Sequence, residues 1–150
     1  MHEHDSLRTL GRTACLRLLG RVPLGRVVYT ENALPAVLPV NFCLDQDGAV
    51  LLRTSATSQM AGAVDDSVVA FEADHFDETT RTGWSVVVTG RATVVTSPGE
   101  IARLDVTVPH SWVPMDEPVF VRIAPELITG RDLGPTTRSC TPETVMSQRN

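Results

Sequence analysis

The chain has 150 residues, 42% of them hydrophobic and 21% charged, which is enough for one domain with its own core and too apolar for wholesale disorder. Its formal net charge is −5 and Lys and Arg nowhere form a run, so nucleic acid and other polyphosphates meet a repulsive field. No apolar stretch approaches the ~20 residues of a bilayer span, and Met1-His2-Glu3-His4-Asp5 lacks the basic and apolar regions of a secretion signal, so a cytoplasmic protein away from membranes is expected.

The first predicted element is a short helix capped by Thr13 and running through Leu19, with Gly20 as its stop. Arg26 to Thr30 is a β-branched and aromatic run, and Glu31-Asn32-Ala33-Leu34 turns it into a second run, Ala36 to Leu44. Pro35 and Pro39 have no N–H to donate, which assigns that second strand to a sheet edge or a bulge. Asp45-Gln46-Asp47-Gly48 signals a hairpin into Ala49 to Thr54. A helical segment from about Ser58 to Val64 leads to a strand from Val68 to Ala73, and the polar stretch from Asp74 to Thr82 reads as a loop.

Trp84 to Thr96 is the longest strand candidate, and its Val86-Val87-Val88 run predicts a central strand packed on both faces. Ser97-Pro98-Gly99-Glu100 is a helix start, with a Ser cap, Pro at the first helical position and Glu three residues after the cap. Residues 109–118 hold three prolines and Trp112 and read as a loop. Val119 to Ile123 is the last clear strand, with a continuation past Pro125 to Ile128. The expected domain spans residues 1–133, and from Gly134 to Asn150 the polar composition without periodicity predicts a flexible tail. About six strands on short turns with a few short helices make the fold mainly β, an antiparallel barrel closed or half open.

Catalytic and metal motifs are weak. Cys15, Cys43 and Cys140 are odd in number and far apart, which argues against a disulfide framework, and Cys43 reads as a small core residue. His2 and His4 belong to a terminus expected to fray, His75 and His110 lie on predicted loops with no acidic or cysteine partner at ligand spacing, and there is no G-x-S-x-G elbow for a catalytic triad. Asn41, in the middle of an apolar strand, is more telling, because a buried amide must find partners in a ligand or in neighbouring backbone.

Several segments, taken in order, carry a resemblance. They are Leu38-Pro39-Val40-Asn41-Phe42, Asp45-Gln46-Asp47-Gly48, and Leu52-Arg53-Thr54 followed by Ser58; then Val69-Ala70-Phe71-Glu72-Ala73-Asp74; then Thr82-Gly83-Trp84-Ser85-Val86-Val87-Val88-Thr89-Gly90-Arg91; and last Val121-Arg122-Ile123 with Ile128-Thr129-Gly130-Arg131. Over residues 13–131 this ordered set resembles the pyridoxamine 5′-phosphate oxidase-like family of FMN-binding split barrels, in particular its actinobacterial and nitroimidazole-reductase-like branches.

The resemblance implies an antiparallel split β-barrel, a homodimer with cofactor sites at the interface, and FMN-dependent oxidation or reduction of a small molecule by hydride transfer at flavin N5. Leu38, Pro39, Val40 and Asn41 would then lie along the flavin ring, and Arg53, Thr54, Ser58 and Gln59 at its phosphate. Trp84 and Ser85 would come from the second subunit. Each assignment has a structural alternative: Arg53 and Arg91 as ion-paired strand residues, Thr54 and Ser58 as a turn and a helix cap, Trp84 as a packing residue. Where relatives carry basic side chains this chain has Gln59 and Met60, so weak FMN binding is expected. The oxidase that gives the family its name is disfavoured, because Arg138 to Asn150 lacks its Trp- and Arg-rich segment. Alternatives are a non-catalytic flavin or haem binder and a reductase using the deazaflavin coenzyme.

Overall fold

The strand Thr82–Val94 organises the molecule, because partners pair along both of its edges. Its inward residues Trp84, Val86, Val88, Gly90 and Ala92 are buried, while the residues between them face outward, as period-two alternation requires. The structure, a computed structural model, describes residues 7–134. In chain order its elements are β1 (Leu7–Leu10), α1 (Arg12–Leu19), β2 (Leu24–Glu31), β3 (Leu34–Asn41), β4 (Cys43–Leu44), β5 (Val50–Ser55), α2 (Gln59–Val64), β6 (Ser67–Asp77), β7 (Thr82–Val94), α3 (Pro98–Thr107), β8 (Pro118–Ile123) and β9 (Leu127–Leu133). No helix among the described residues is long and apolar enough to cross a membrane.

The strands form one antiparallel sheet in the order β3-β2-β6-β7-β8-β5-β4. Its two end strands, β3 and β4, are separated in the chain only by Phe42, so the sheet returns on itself as a barrel. β3 pairs with β2 alone, and between β3 and β5 the barrel is split. The two prolines of β3 fit this position, since an edge strand has no ladder to lose on its free side.

On its other edge β7 divides itself between two partners, β9 over Gly83–Thr89 and β8 over Ala92–Val94. The chain crosses over at Gly90, where Ala124 N–H donates to the Arg91 carbonyl at 2.9 Å. A Cβ on Gly90 would overlap the Ala124 carbonyl, which explains the Gly of Thr89-Gly90-Arg91. This crossover corrects the expected continuation of one strand through Ile128: β8 stops at Ile123 and β9 is a separate strand beside the other half of β7. With β1 added against β9, the count rises from about six strands to nine.

Two boundaries also differ. β6 runs on to Asp77 instead of ending at Ala73, so the loop shrinks to residues 78–81; the polar His75 and Asp77 are tolerated because this end of the β6–β7 hairpin is exposed. α1 starts at Arg12 behind Gly11, so Thr13 lies inside the helix and does not cap it. Gly20 does end α1, yet with φ −67 it is right-handed, and its N–H closes on the Leu16 carbonyl. The Ser58 cap is as expected, its hydroxyl accepting from Ala61 N–H at 3.0 Å. Ser97 precedes α3 with Pro98 in the first turn but makes no side-chain cap bond.

The main core fills the barrel with Val27, Val50, Leu52, Phe71, Val86, Val88, Val121 and Ile123, closed at one end by Cys15 and Leu19 of α1. A second cluster of Leu51, Leu104, Val108 and Phe120 lies outside the barrel wall, where α3 packs. The tail expected beyond Gly134 falls outside the described residues.

Candidate functional site

The split between β3 and β5 is occupied by a cavity of about 290 Å³. Leu38, Pro39, Val40 and Asn41 of β3 form one side, Arg53, Thr54, Ser55 and Ser58 the opposite one, and the segment 109–117 contributes Ser111, Val113, Pro114 and Met115. The slot is therefore mostly apolar, with hydroxyls at one end and the unpaired edge of β3 along its length. An unpaired edge presents free backbone groups to a planar heteroaromatic ring; here Pro39 withholds an N–H, so that edge offers carbonyl acceptors more than donors. Seven of the ten residues selected from sequence meet here: Leu38, Pro39, Val40, Asn41, Arg53, Thr54 and Ser58.

Arg53 reaches this cavity but its charge is engaged elsewhere. Alternation on β5 sends Leu52 into the barrel and Leu51 and Arg53 to the face that carries α3. There Nη2 donates to the carbonyls of Asp105 at 2.7 Å and Val108 at 2.8 Å, and Nη1 to the Asp105 carboxylate at 3.0 Å. Nε donates to the Val108 and Pro109 carbonyls, and the guanidinium stacks 4.8 Å from the centroid of Phe120. With its side chain only 4% exposed, Arg53 caps the carboxyl end of α3, where orphan carbonyls and the helix dipole both favour a cation.

The hydroxyl end is neutral. Thr54 Oγ1 and Ser58 Oγ lie 3.0 Å apart and share a hydrogen bond. The pair that follows divides: Gln59 faces solvent, whereas Met60 is 2% exposed and belongs to the barrel core. Met60 is thus excluded from any contact with a phosphate by its direction as well as its chemistry.

Asn41 resolves the question of the buried amide. Its Nδ2 donates to the Pro23 carbonyl at 3.2 Å and its Oδ1 accepts from Trp112 N–H at 2.9 Å, so both ends are used by backbone. Segment 109–117, read from sequence as a plain loop, is a wall of the cavity. No local periodicity marked it as a wall; in the structure its apolar residues Trp112 and Val113 are 70% and 69% exposed.

Trp84 and Ser85 lie apart from the slot. Trp84 points inward and borders a different cleft, of about 470 Å³, with Arg8, Arg21, His75 and Asp132. Ser85 points outward, opposite Asp74 on β6 and Arg131 on β9. Arg91 is paired with Asp66, its Nη1 reaching the carbonyl at 2.6 Å and the carboxylate at 3.3 Å. On the same outer face Arg26 serves two carboxylates, Glu72 at 3.2 Å and Asp74 at 3.7 Å. Burial, and then the neighbouring Asp74, push the Glu72 carboxyl up to about 7. Among the described residues there is no cluster of His, Cys, Asp and Glu that could hold a metal.

Residues 11–132 match the profile of the pyridoxamine 5′-phosphate oxidase family, which covers most of the chain. The chain belongs to that family. Within it, the chain is 48% identical over 126 residues to an uncharacterized protein of Mycobacterium tuberculosis, across 81% of this chain and 82% of the relative. Among solved structures, an FAD binding protein from Mycobacterium smegmatis aligns with a TM-score of 0.72 and 33% identity, covering 85% of this chain and 100% of that one. A conserved protein of unknown function from Corynebacterium diphtheriae gives 0.74 and 33%, covering 87% and 100%. The barrel described above, split at β3, is the fold of these relatives, as the sequence resemblance implied.

Proposed function

We propose that this chain is a flavin-dependent oxidoreductase that holds the flavin ring in the slot between β3 and β5. The observation that carries the reading is the slot itself, apolar on its faces and bordered by a free strand edge. The FAD-binding relative from Mycobacterium smegmatis supports a flavin as the ligand. FMN is our first candidate, and FAD and the deazaflavin coenzyme are its competitors. When bound, such a ring would supply the hydride chemistry at N5, between a donor and a small acceptor.

The chain's residues would do the rest. Leu38, Val40 and Val113 exclude water from the ring faces, the edge of β3 fixes its orientation, and Thr54 and Ser58 offer hydroxyls to the ribityl side. No lining residue is a free acid or base, and hydride transfer requires none. The phosphate end fits less well, because the lining contains no uncommitted cation.

About 290 Å³ is at the low end for a small-molecule site, so the slot holds the ring better than a whole cofactor. We therefore read the protein as a homodimer in which a second copy supplies the remaining walls, Trp84 and Ser85 among them. The outer sheet face offers a surface for it: Val37, Val28, Ala70, Thr89 and Leu127 are successive cross-strand partners and form one row. Val37 and Leu127 on that row are 60% and 58% exposed.

Titration with riboflavin, FMN, FAD and the deazaflavin coenzyme, followed by fluorescence quenching, tests the ligand, and steady-state oxidation of NADPH by the loaded protein separates enzyme from binder. Quenching by at least one flavin, lost when Val40→Trp fills the slot, is the expected result. Absence of quenching by all four would overturn the reading, and light scattering at the 16.3 kDa mass of one chain would overturn the dimer.

A further inference from the structure

Segment 109–117 is a thin partition. Ser111, Val113, Pro114 and Met115 border both the slot and a second cavity of about 400 Å³, whose lining also includes Asp105 and His110. A wall with space behind it is not located by packing, and Trp112 is 70% exposed. Its ends are fixed by polar contacts, Arg53 Nε to the Pro109 carbonyl at 3.3 Å, and at the far end Ser55 Oγ to the Asp116 carbonyl at 3.2 Å and Ala56 N–H to the Glu117 carbonyl at 3.0 Å. Between them, among the described residues, one hydrogen bond joins residues 110–115 to the barrel, Trp112 N–H to Asn41 Oδ1.

Asn41 is suited to hold that position. It is 9% exposed, and its amide cannot turn over without facing Nδ2 with an N–H and Oδ1 with a carbonyl. The Pro23 carbonyl that fixes Nδ2 also accepts from Phe42 N–H at 3.3 Å, so the amide is tied to the backbone just before β2. We infer that Asn41 is a positioning residue: it latches the partition 109–117 through Trp112 N–H and thereby sets the width of the slot and its hold on a flat ring. This extends the proposed function, on which its binding consequence rests.

The test uses the full chain with two variants and two readouts. Asn41→Leu removes both partners, whereas Asn41→Asp keeps an acceptor for Trp112 N–H; its second oxygen donates to the Pro23 carbonyl only when protonated, so this variant is compared at the acid end of the range in which the barrel stays folded. Hydrogen exchange of the Trp112 amide, followed by NMR without ligand, should speed up about tenfold or more in Asn41→Leu and by only a few-fold in Asn41→Asp. The amides of Val86 and Val88 in β7 should keep their protection in both, which shows that the barrel is intact. Riboflavin affinity should fall about tenfold in Asn41→Leu and largely recover in Asn41→Asp. Unchanged exchange at Trp112 in Asn41→Leu, with β7 protected, would overturn the latch. Faster exchange with unchanged riboflavin affinity would overturn its role in setting the slot. A wild type that binds no riboflavin counts against the flavin reading, while the exchange rates still decide the latch.

Discussion

β7 and β3 are both apolar strands, and their fates differ because of their neighbours. β7 is hydrogen-bonded on both edges, and Val86 and Val88 are fully buried. β3 is bonded on one edge, leaves Val37 and Leu38 60% and 37% exposed, and carries two prolines. Hydrophobic content therefore does not identify the core in this barrel; pairing on both sides does. The free edge of β3 is kept from joining another sheet by its prolines and remains open to a ligand, so the least sealed seam of the fold is also its candidate site.

The largest expected effect tests the sealed side. Gly90→Ala places a methyl group against the Ala124 carbonyl, and backbone at the β8–β9 crossover cannot step aside as a side chain would. Overpacking of this kind costs about 1–3 kcal/mol, and the upper end is expected here. Leu38→Ala on the open side should cost well under half as much, since Leu38 is already partly in water. Urea melts of the two variants decide the matter, and equal losses would show that β3 is as firmly held as β7.

Next comes Arg53, which lies at the boundary of the two regimes. Arg53→Met keeps most of the stem packing and leaves the carbonyls of Asp105 and Val108 without their donor. A loss of roughly 1–3 kcal/mol is expected, eased where water can reach these groups. The salt dependence of FMN binding should not change, because the guanidinium faces α3. A flattened salt dependence would return Arg53 to the phosphate.

A smaller effect should appear with pH on the outer face. The Glu72 carboxyl is raised from 4.5 to about 7 in the folded protein. The folded state therefore binds more protons than the unfolded chain between those values, so this group's contribution is fully present below about 4.5 and is lost as pH rises through about 7. Thermal melts across that window should show stability falling for wild type relative to Glu72→Gln. Parallel curves would mean that Arg26 holds Glu72 ionised throughout.

These contrasts also show why some of the molecule could be read from sequence and some could not. The hairpin at Asp45 to Gly48, the Ser58 cap, the edge character of β3 and the central place of β7 each follow from local chemistry or a period of two. The division between β8 and β9 was hidden because it depends on Gly90 meeting Ala124, a contact across the sheet. The outward direction of Arg53 was implied by alternation, but its partner, the end of α3, is fifty residues away in the chain, and nothing local announces it. The partition 109–117 has no periodicity at all, so its role as a wall emerged only once Asn41 and Trp112 were seen together.

The smallest effect concerns the phosphate end of the slot, where Gln59 is exposed beside Ser58. No uncommitted cation lines the cavity, so riboflavin and FMN should bind the wild type with similar affinity, the phosphate adding little. Gln59→Lys puts a flexible ammonium at the rim without touching the core, because Gln59 is exposed while Met60, Ala61 and Val64 of α2 are buried. A charge-assisted hydrogen bond contributes about 1.5–3 kcal/mol against roughly 1 for a neutral one. Exposure and side-chain entropy reduce the difference to about 0.5–1 kcal/mol, a few-fold in affinity. The gain should appear for FMN and not for riboflavin, and it should shrink as salt is raised. Fluorescence titration of both ligands at two salt concentrations gives four comparisons for each protein. If Gln59→Lys tightens riboflavin as much as FMN, the added charge is not meeting a phosphate and the ring must lie the other way round. If wild type already prefers FMN strongly, the missing cation comes from a second copy of the chain.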